Sequence, residues 1–293
     1  MKKTLTVFLV LLTSIYGKIR VVTSTSDLAA IAQEIGGDKV SVESIARGDQ
    51  NPHYIEVLPS YMLKVRRADI YLKVGMELDL WSDQIIGGSR NKDLLVVDCS
   101  ENIKAQEVPT GKVDASMGDI HRYGNPHYWL DPQNGPLIAE SIAKALKKRD
   151  PENIQFYENN LRAFNQSVTN SLERWTSKYA QLRDRKLLYY HNTWPYFNYR
   201  FGLEVSEFVE PKPGIMPTPN HVDQLVKLIR TEQLKVLAME PYFSDTAARY
   251  LAEKTGIQIV KLAPSVGSQK GTDTYLKMIE YNLDALFQPL GNE

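Results

Sequence analysis

A chain of 293 residues with 43% hydrophobic and 24% charged side chains is a globular chain long enough for two domains of about 150 residues each. Its 35 Lys and Arg balance 35 Asp and Glu. This excludes the basic footprint of a nucleic-acid binder and leaves no polybasic patch for a membrane surface.

The chain opens with Lys2 and Lys3 ahead of an apolar run, LTVFLVLLTSI, too short to span a bilayer. Residues 1–17 therefore read as a secretory signal peptide, with the mature protein starting near Lys18. Cys99 is the only cysteine, so no internal disulfide can form. It lies in LLVVDCS and reads as a small core residue. No cysteine stands at the end of the signal segment to carry a lipid anchor, and we expect a freely soluble periplasmic protein.

From residue 18 to 150, β-branched runs (IRVVTST, VSVESIA, DIYLKVG, LLVVD) alternate with amphipathic stretches (LAAIAQEIGG, SYMLKVRRA, WSDQIIGG), predicting a parallel sheet covered by helices. Residues 101–125 are polar, without periodicity, and read as a loop. Pro151 then opens a stripe of Ile154, Tyr157, Leu161, Phe164, Val168, Leu172, Trp175, Tyr179 and Leu182. Spacings of three and four predict one helix of about 30 residues over 151–183. Alternation resumes over 184–293, with strands LLYYH, LEVSEFV, KVLAMEP and IQIVKLA and helices over 221–232, 246–255 and 273–287. The fold class is α/β: an N-terminal lobe (18–150), a linking helix (151–183) and a C-terminal lobe (184–293). No sequence repeat is evident.

Three of the five histidines fall where α/β sheets gather ligands, in loops beyond the strands. His53 follows the second strand in GDQNPHYIEVLPS, His127 sits in GNPHYWLDP, and His191 ends LLYYH. His53 and His127 both follow Asn-Pro and precede Tyr, which fits either repeated turn punctuation or two arms of one metal site. Imidazole is a common metal ligand, and three imidazoles leave a tetrahedral ion one donor short. His221 stands at a helix start that Asn220 is placed to cap. The WPYF cluster at 194–197 reads as packing, and EPKPGIMPTP as a stiff loop.

Taken in order around a long central helix, GDQNPHYIEVLPS, GNPHYWLDP, HNTWPYFNYRFGLEV and AMEPYFS resemble the zinc/manganese solute-binding proteins of ABC importers, the cluster A-I family. The resemblance covers nearly the whole mature chain. It implies two (β/α) lobes, each with a parallel sheet, joined by a rigid backbone helix, with a metal ion in the cleft. His53, His127 and His191 match the family's first three ligands. The family's acidic fourth ligand falls in KLAPSVG, where Ala263 cannot ligate. Glu240 at the end of KVLAMEP and water stand level as substitutes, with Asp119, His121 or Asp245 as alternatives. Glu56 and Asp131 stand near ligands as candidates to orient them. Three imidazoles without the acid favour Zn2+ over Mn2+.

The expected protein is a monomer whose partners are a divalent metal ion and an ABC permease in the inner membrane, with no nucleic acid. A zinc-dependent hydrolase using the same histidines with Glu240 as base is the competing class. Against it, the chain carries no HExxH motif and no nucleophile elbow. A surface adhesin is the third reading.

Overall fold

The computed structural model describes residues 17–111, 113 and 117–291. Apart from Gly17, the expected signal segment lies outside them. Strand β1 (Ile19–Thr23) pairs in parallel with β2 (Val40–Ser44) on one side and β3 (Ile70–Lys73) on the other, and β4 (Leu95–Asp98) completes the order β2-β1-β3-β4. The second half repeats this order with β5 (Lys186–Tyr189), β6 (Glu204–Phe208), β7 (Val236–Met239) and β8 (Gln258–Lys261), as β6-β5-β7-β8. In each sheet the chain leaves the first strand for one side and then crosses to the other. That reversal opens a crevice at the carboxyl ends of β1 and β3, and of β5 and β7, where ligands bind in such folds. The repeat is one of backbone path, which explains why side-chain comparison along the sequence does not show it.

Helices α1 (Ser26–Gly36), α2 (Pro59–Arg66) and α3 (Trp81–Ser89) flank the first sheet as the amphipathic stretches predict. Helix α4 (Gly135–Arg149) was not anticipated. Its buried Ile138, Ala139, Ile142, Ala143 and Leu146 pack against α1 and the linking helix. Pro136 near its start and three cations in its last turn suit the two ends of a helix. The linking helix α5 (Ile154–Lys178) is 25 residues long, with short 3-10 turns at Pro151–Asn153 and Ala180–Leu182. Its predicted stripe is real but narrower: Tyr157, Phe164, Val168 and Trp175 are buried, whereas Ile154 is exposed.

In the second half, α6 (Pro195–Phe201) arises from the aromatic cluster, with Tyr196, Phe197 and Phe201 buried and Gly202 ending it at φ 73°. Helix α7 (Pro219–Glu232) begins with Thr218, whose side chain accepts from the His221 N–H at 3.3 Å. Thr218 rather than Asn220 is the cap, because Pro219 already occupies the first helical position. Helices α8 (Thr246–Thr255) and α9 (Tyr275–Leu290) complete the half. No described helix is long and apolar enough to cross a membrane.

The halves share one core. Val21, Ile31 and Leu72 of the first half and Tyr189, Leu262 and Leu286 of the second join Phe164 and Trp175 of α5 in a single apolar cluster. Each such buried side chain contributes about 1.5–3 kcal/mol. Polar ties reinforce the join. Asp27 at the start of α1 accepts from the Val266 N–H at 2.9 Å, and Ser26 donates to the Val266 carbonyl at 2.7 Å. Burial raises the Asp27 carboxyl from 3.8 to about 7. Arg200 of α6 makes two bonds to the buried Asp131, at 2.7 and 2.9 Å. Cys99 is buried, as its strand context predicts.

Candidate metal centre

The two Asn-Pro-His tripeptides fold alike. Asn51 Oδ1 accepts from the His53 N–H at 3.0 Å, and Asn125 Oδ1 accepts from the His127 N–H at 3.1 Å. Each asparagine side chain thus closes a local turn, and the intervening proline fixes φ. The turns bring residues 74 apart in sequence together, with the Nε2 atoms of His53 and His127 separated by 3.2 Å. Both readings of the doubled tripeptide therefore hold at the level of geometry: the turn is repeated, and its two copies converge.

His191 joins them from the end of β5, across the cleft. Its ring centroid lies 5.8 Å from that of His53 and 6.2 Å from that of His127. A fourth imidazole, His121, stacks on His53 at 5.1 Å. His121, His127 and His191 line one cavity of about 470 Å³, together with Asp119, Asn125 and Pro213. Among the described residues no three His, Cys, Asp or Glu donors already stand as a closed coordination shell. Side-chain rotation is needed to form one from these rings.

Outer partners fix which ring nitrogen is free. His127 Nδ1 faces Asn125 Oδ1 at 3.0 Å, and His191 Nδ1 faces Glu210 Oε2 at 2.7 Å. Both oxygens only accept, so each Nδ1 carries the proton and each Nε2 lone pair points onward. The network then puts a proton on His53 Nε2, donated to His127 Nε2. Glu210 is itself buried and also accepts from the Gly214 N–H at 2.8 Å. Neither Asn125 nor Glu210 was identified from the sequence. Asn125, two residues before His127, was visible as part of the tripeptide; Glu210, 19 residues beyond His191, had no local signal.

Charge follows the same division. Burial holds His53 and His127 well below the usual imidazole range, and the neighbouring imidazoles push in the same direction. Burial also lowers His121. Burial pulls His191 down too, but the Glu210 hydrogen bond and the nearby Glu240, Glu210 and Asp119 charges carry it above the usual value. Three neutral rings beside one carboxylate-backed ring form a donor set suited to a borderline transition-metal cation.

The remaining candidates separate clearly. Glu240, fully buried, accepts from Trp194 Nε1 at 2.8 Å and does not line the cavity; burial raises its carboxyl. Asp119 lines the cavity but takes the Tyr54 hydroxyl on both oxygens, at 2.5 and 2.6 Å. Asp245, just ahead of α8, pairs with Arg249 at 2.6 Å and is not among the residues lining the cavity. Two expectations are corrected. Glu56 is exposed, with no hydrogen bond to a histidine among the described residues. Asp131 is occupied by Arg200 and by the Gln133 N–H, so it ties the halves instead of orienting His127. His221 bonds to the Phe208 carbonyl at 3.0 Å.

Residues 21–288 match the profile of ZnuA, "Zinc-uptake complex component A periplasmic". The chain belongs to this ZnuA family. It is 28% identical over 286 residues to the metal ABC transporter substrate-binding lipoprotein FimA of Streptococcus parasanguinis, covering 94% of this chain and 90% of the relative. It is equally identical over 285 residues to the manganese ABC transporter substrate-binding lipoprotein PsaA of Streptococcus mitis, covering 93% and 89%. A crystal structure of ZnuA superposes with a TM-score of 0.82 at 22% identity, covering 94% of this chain and 100% of the other; a likeness at that identity establishes the fold. As a ZnuA-family member the chain is the substrate-binding component of a metal ABC transporter, with a membrane permease as partner, and not a hydrolase. One expectation is overturned. The sequence leads one to expect a freely soluble, periplasmic chain without a lipid anchor, but its FimA and PsaA relatives are named lipoproteins.

Proposed function

We propose that the ion captured is zinc in preference to manganese, held in the cleft by the Nε2 atoms of His53, His127 and His191. The 3.2 Å separation of the His53 and His127 nitrogens carries this reading. Two ligands at about 2.0–2.1 Å from one tetrahedral zinc ion stand about 3.4 Å apart, with ring centroids about 5 Å apart. The three centroid separations here run from 5.1 to 6.2 Å. Transfer of the proton from His53 Nε2 to its Nδ1 frees both lone pairs for the cation.

The donor chemistry supports zinc. A site with more carboxylates leans toward manganese, whereas imidazoles suit zinc, copper and nickel. Ala263 stands after β8, buried, with its backbone held on both sides by Asn282 at 2.7 and 2.8 Å. The segment that would bring an acid brings a methyl group. PsaA relatives are named for manganese, so the metal is the point to test.

Calorimetric titration of metal-stripped protein with zinc and with manganese is the direct measurement. One zinc ion is expected to bind at least about 100-fold more tightly than manganese, in line with the Irving–Williams order. Replacement of His53, His127 and His191 together by Ala is expected to abolish binding. Unchanged zinc binding by the triple variant, or preference for manganese by the native chain, would sink the assignment.

A further inference from the structure

Beside the metal cavity the second half displays a stiff apolar strap. Pro213 and Gly214 are the inner pair of a tight turn, closed by the Ile215 N–H on the Lys212 carbonyl at 2.9 Å. Gly214 stands at φ 75°, the left-handed conformation that a turn with proline ahead of it requires there. From the first half, the Asp119 N–H donates to the Pro213 carbonyl at 2.9 Å. The chain then runs Ile-Met-Pro-Thr-Pro into α7, and its two prolines fix φ. Met216 is 82% exposed, the most exposed large apolar side chain among the described residues, and Ile215 is exposed beside it.

A lone exposed methionine is ordinary, but this one borders an apolar groove. The groove has a volume of about 480 Å³ and runs between the first turns of α7 and α8, lined also by Pro217, Pro219, Val222, Ala247 and Tyr250. Asp223 is its only charged lining residue and is exposed, so the segment that fills the groove is apolar. The groove is continuous with the metal cavity: Pro213 lines the cavity and Met216, on the same strap, lines the groove. Tyr190 in the groove wall stacks on Phe243 at 4.9 Å, and Phe243 lies 5.3 Å from the His191 ring. The Gly214 N–H donates to the Glu210 carboxylate that braces His191. Whatever fills the groove therefore rests on the supports of His191. The family supplies one macromolecular partner that must face the cavity mouth, because the ion passes between the two: the permease.

We propose that the groove between α7 and α8, with residues 215–219 as its rim, is where an apolar segment on the outer face of the permease docks. This rests on the family's permease partnership and is independent of which ion is held. The turn and the prolines set the strap before the partner arrives, so its apolar side chains are presented at little entropic cost. A partner seated there bears on Tyr190 and on the Gly214 turn, and through them on the His191 side of the cavity.

Binding of the full chain, saturated with zinc or with manganese, to vesicles carrying its own ABC permease tests this. The variants are Met216→Lys, Tyr250→Lys and, as a control, Leu63→Lys, at an exposed position on α2 in the other half. Docking is expected to weaken about tenfold or more in each groove variant, as on losing an apolar anchor, and to stay within about threefold in the control. Ion affinity should stay within about threefold throughout, so that lost docking is not lost cargo. Native docking by both groove variants overturns the proposal, as does an equal loss in Leu63→Lys, which makes the effect one of net charge. Binding to vesicles without permease that the groove variants lose makes the occupant a lipid surface. A native dimer that they split, with docking unchanged, makes it a second copy; either result overturns the proposal. Loss of docking in the groove variants of a chain that holds neither ion leaves this surface standing and removes the cleft as the ion site.

Discussion

Glu210 Oε2 lies 2.7 Å from His191 Nδ1, both side chains buried, and the same oxygen accepts from the Gly214 N–H. One carboxylate therefore sets the tautomer of an imidazole and pins the turn on which the 117–123 segment rests.

Glu210→Ala is expected to weaken zinc binding by about 10–100-fold, the usual effect of removing an outer-sphere acceptor. It should also lower the His191 pKa, because the hydrogen bond that holds it up is gone. Calorimetry and an NMR titration of the imidazole resonances measure the two effects. Normal affinity together with an unmoved titration would refute this role for Glu210.

Asn125→Ala should act similarly on His127, with a loss of about 10–100-fold, and Asn125→Asp should recover most of it because the acceptor oxygen is kept. A failure of Asp to rescue would show that the amide N–H contact to the Asn192 carbonyl, 2.8 Å, matters more than the turn.

Asp131→Ala separates a tie between the halves from a role at the metal centre. Loss of a buried partner of a two-point ion pair costs about 3–5 kcal/mol. The guanidinium side is a quarter exposed, which reduces this to about 2–3 kcal/mol. Urea denaturation should show that loss while zinc affinity stays within about threefold, since the Asp131 carboxylate hydrogen-bonds to Arg200 and the Gln133 N–H and not to an imidazole among the described residues. A large affinity change with little destabilisation would restore a direct role at the centre.

Asp27 gives the chain a stability that depends on pH. Its folded pKa, raised by burial, is about 7 against 3.8, so the folded state keeps a proton that the unfolded chain releases. Stability from this group is fully present below about pH 3.8, falls as pH rises toward 7, and is flat beyond. At about 1.4 kcal/mol per pH unit the loss is about 4 kcal/mol at most. Asp27→Asn, which keeps an acceptor for the Val266 N–H, should be more stable than the native chain at pH 8 and lose that advantage toward pH 4. Parallel denaturation curves at both pH values would contradict this.

The parts of this molecule that sequence reveals are those written locally. The eight strands, the stripe on α5 and the three histidines His53, His127 and His191 each rest on patterns a few residues long. Helix α4 is equally local, in the spacing of Ile138, Ile142 and Leu146, but it sits between the polar loop and Pro151, whose signals are stronger. The errors over Glu56 and Asp131 have another origin. Closeness in sequence to a histidine is not contact: Asp131 meets Arg200, 69 residues away, and His191 finds Glu210 beyond helix α6 and strand β6. The stacking of His121 on His53 depends on fastenings of Arg122 at Glu77 and of Asp119 at Tyr54 and Pro213, which no window of sequence contains.

Asn51 and Asn125 each brace their own histidine through backbone hydrogen bonds. The receptor thus spends little conformational freedom when cargo arrives, and encounter need not wait for those two arms to order. Discrimination among ions passing the mouth of the cleft then falls to the electronic character of the waiting nitrogens. A mismatched ion would be rejected by fast departure more than by slow entry.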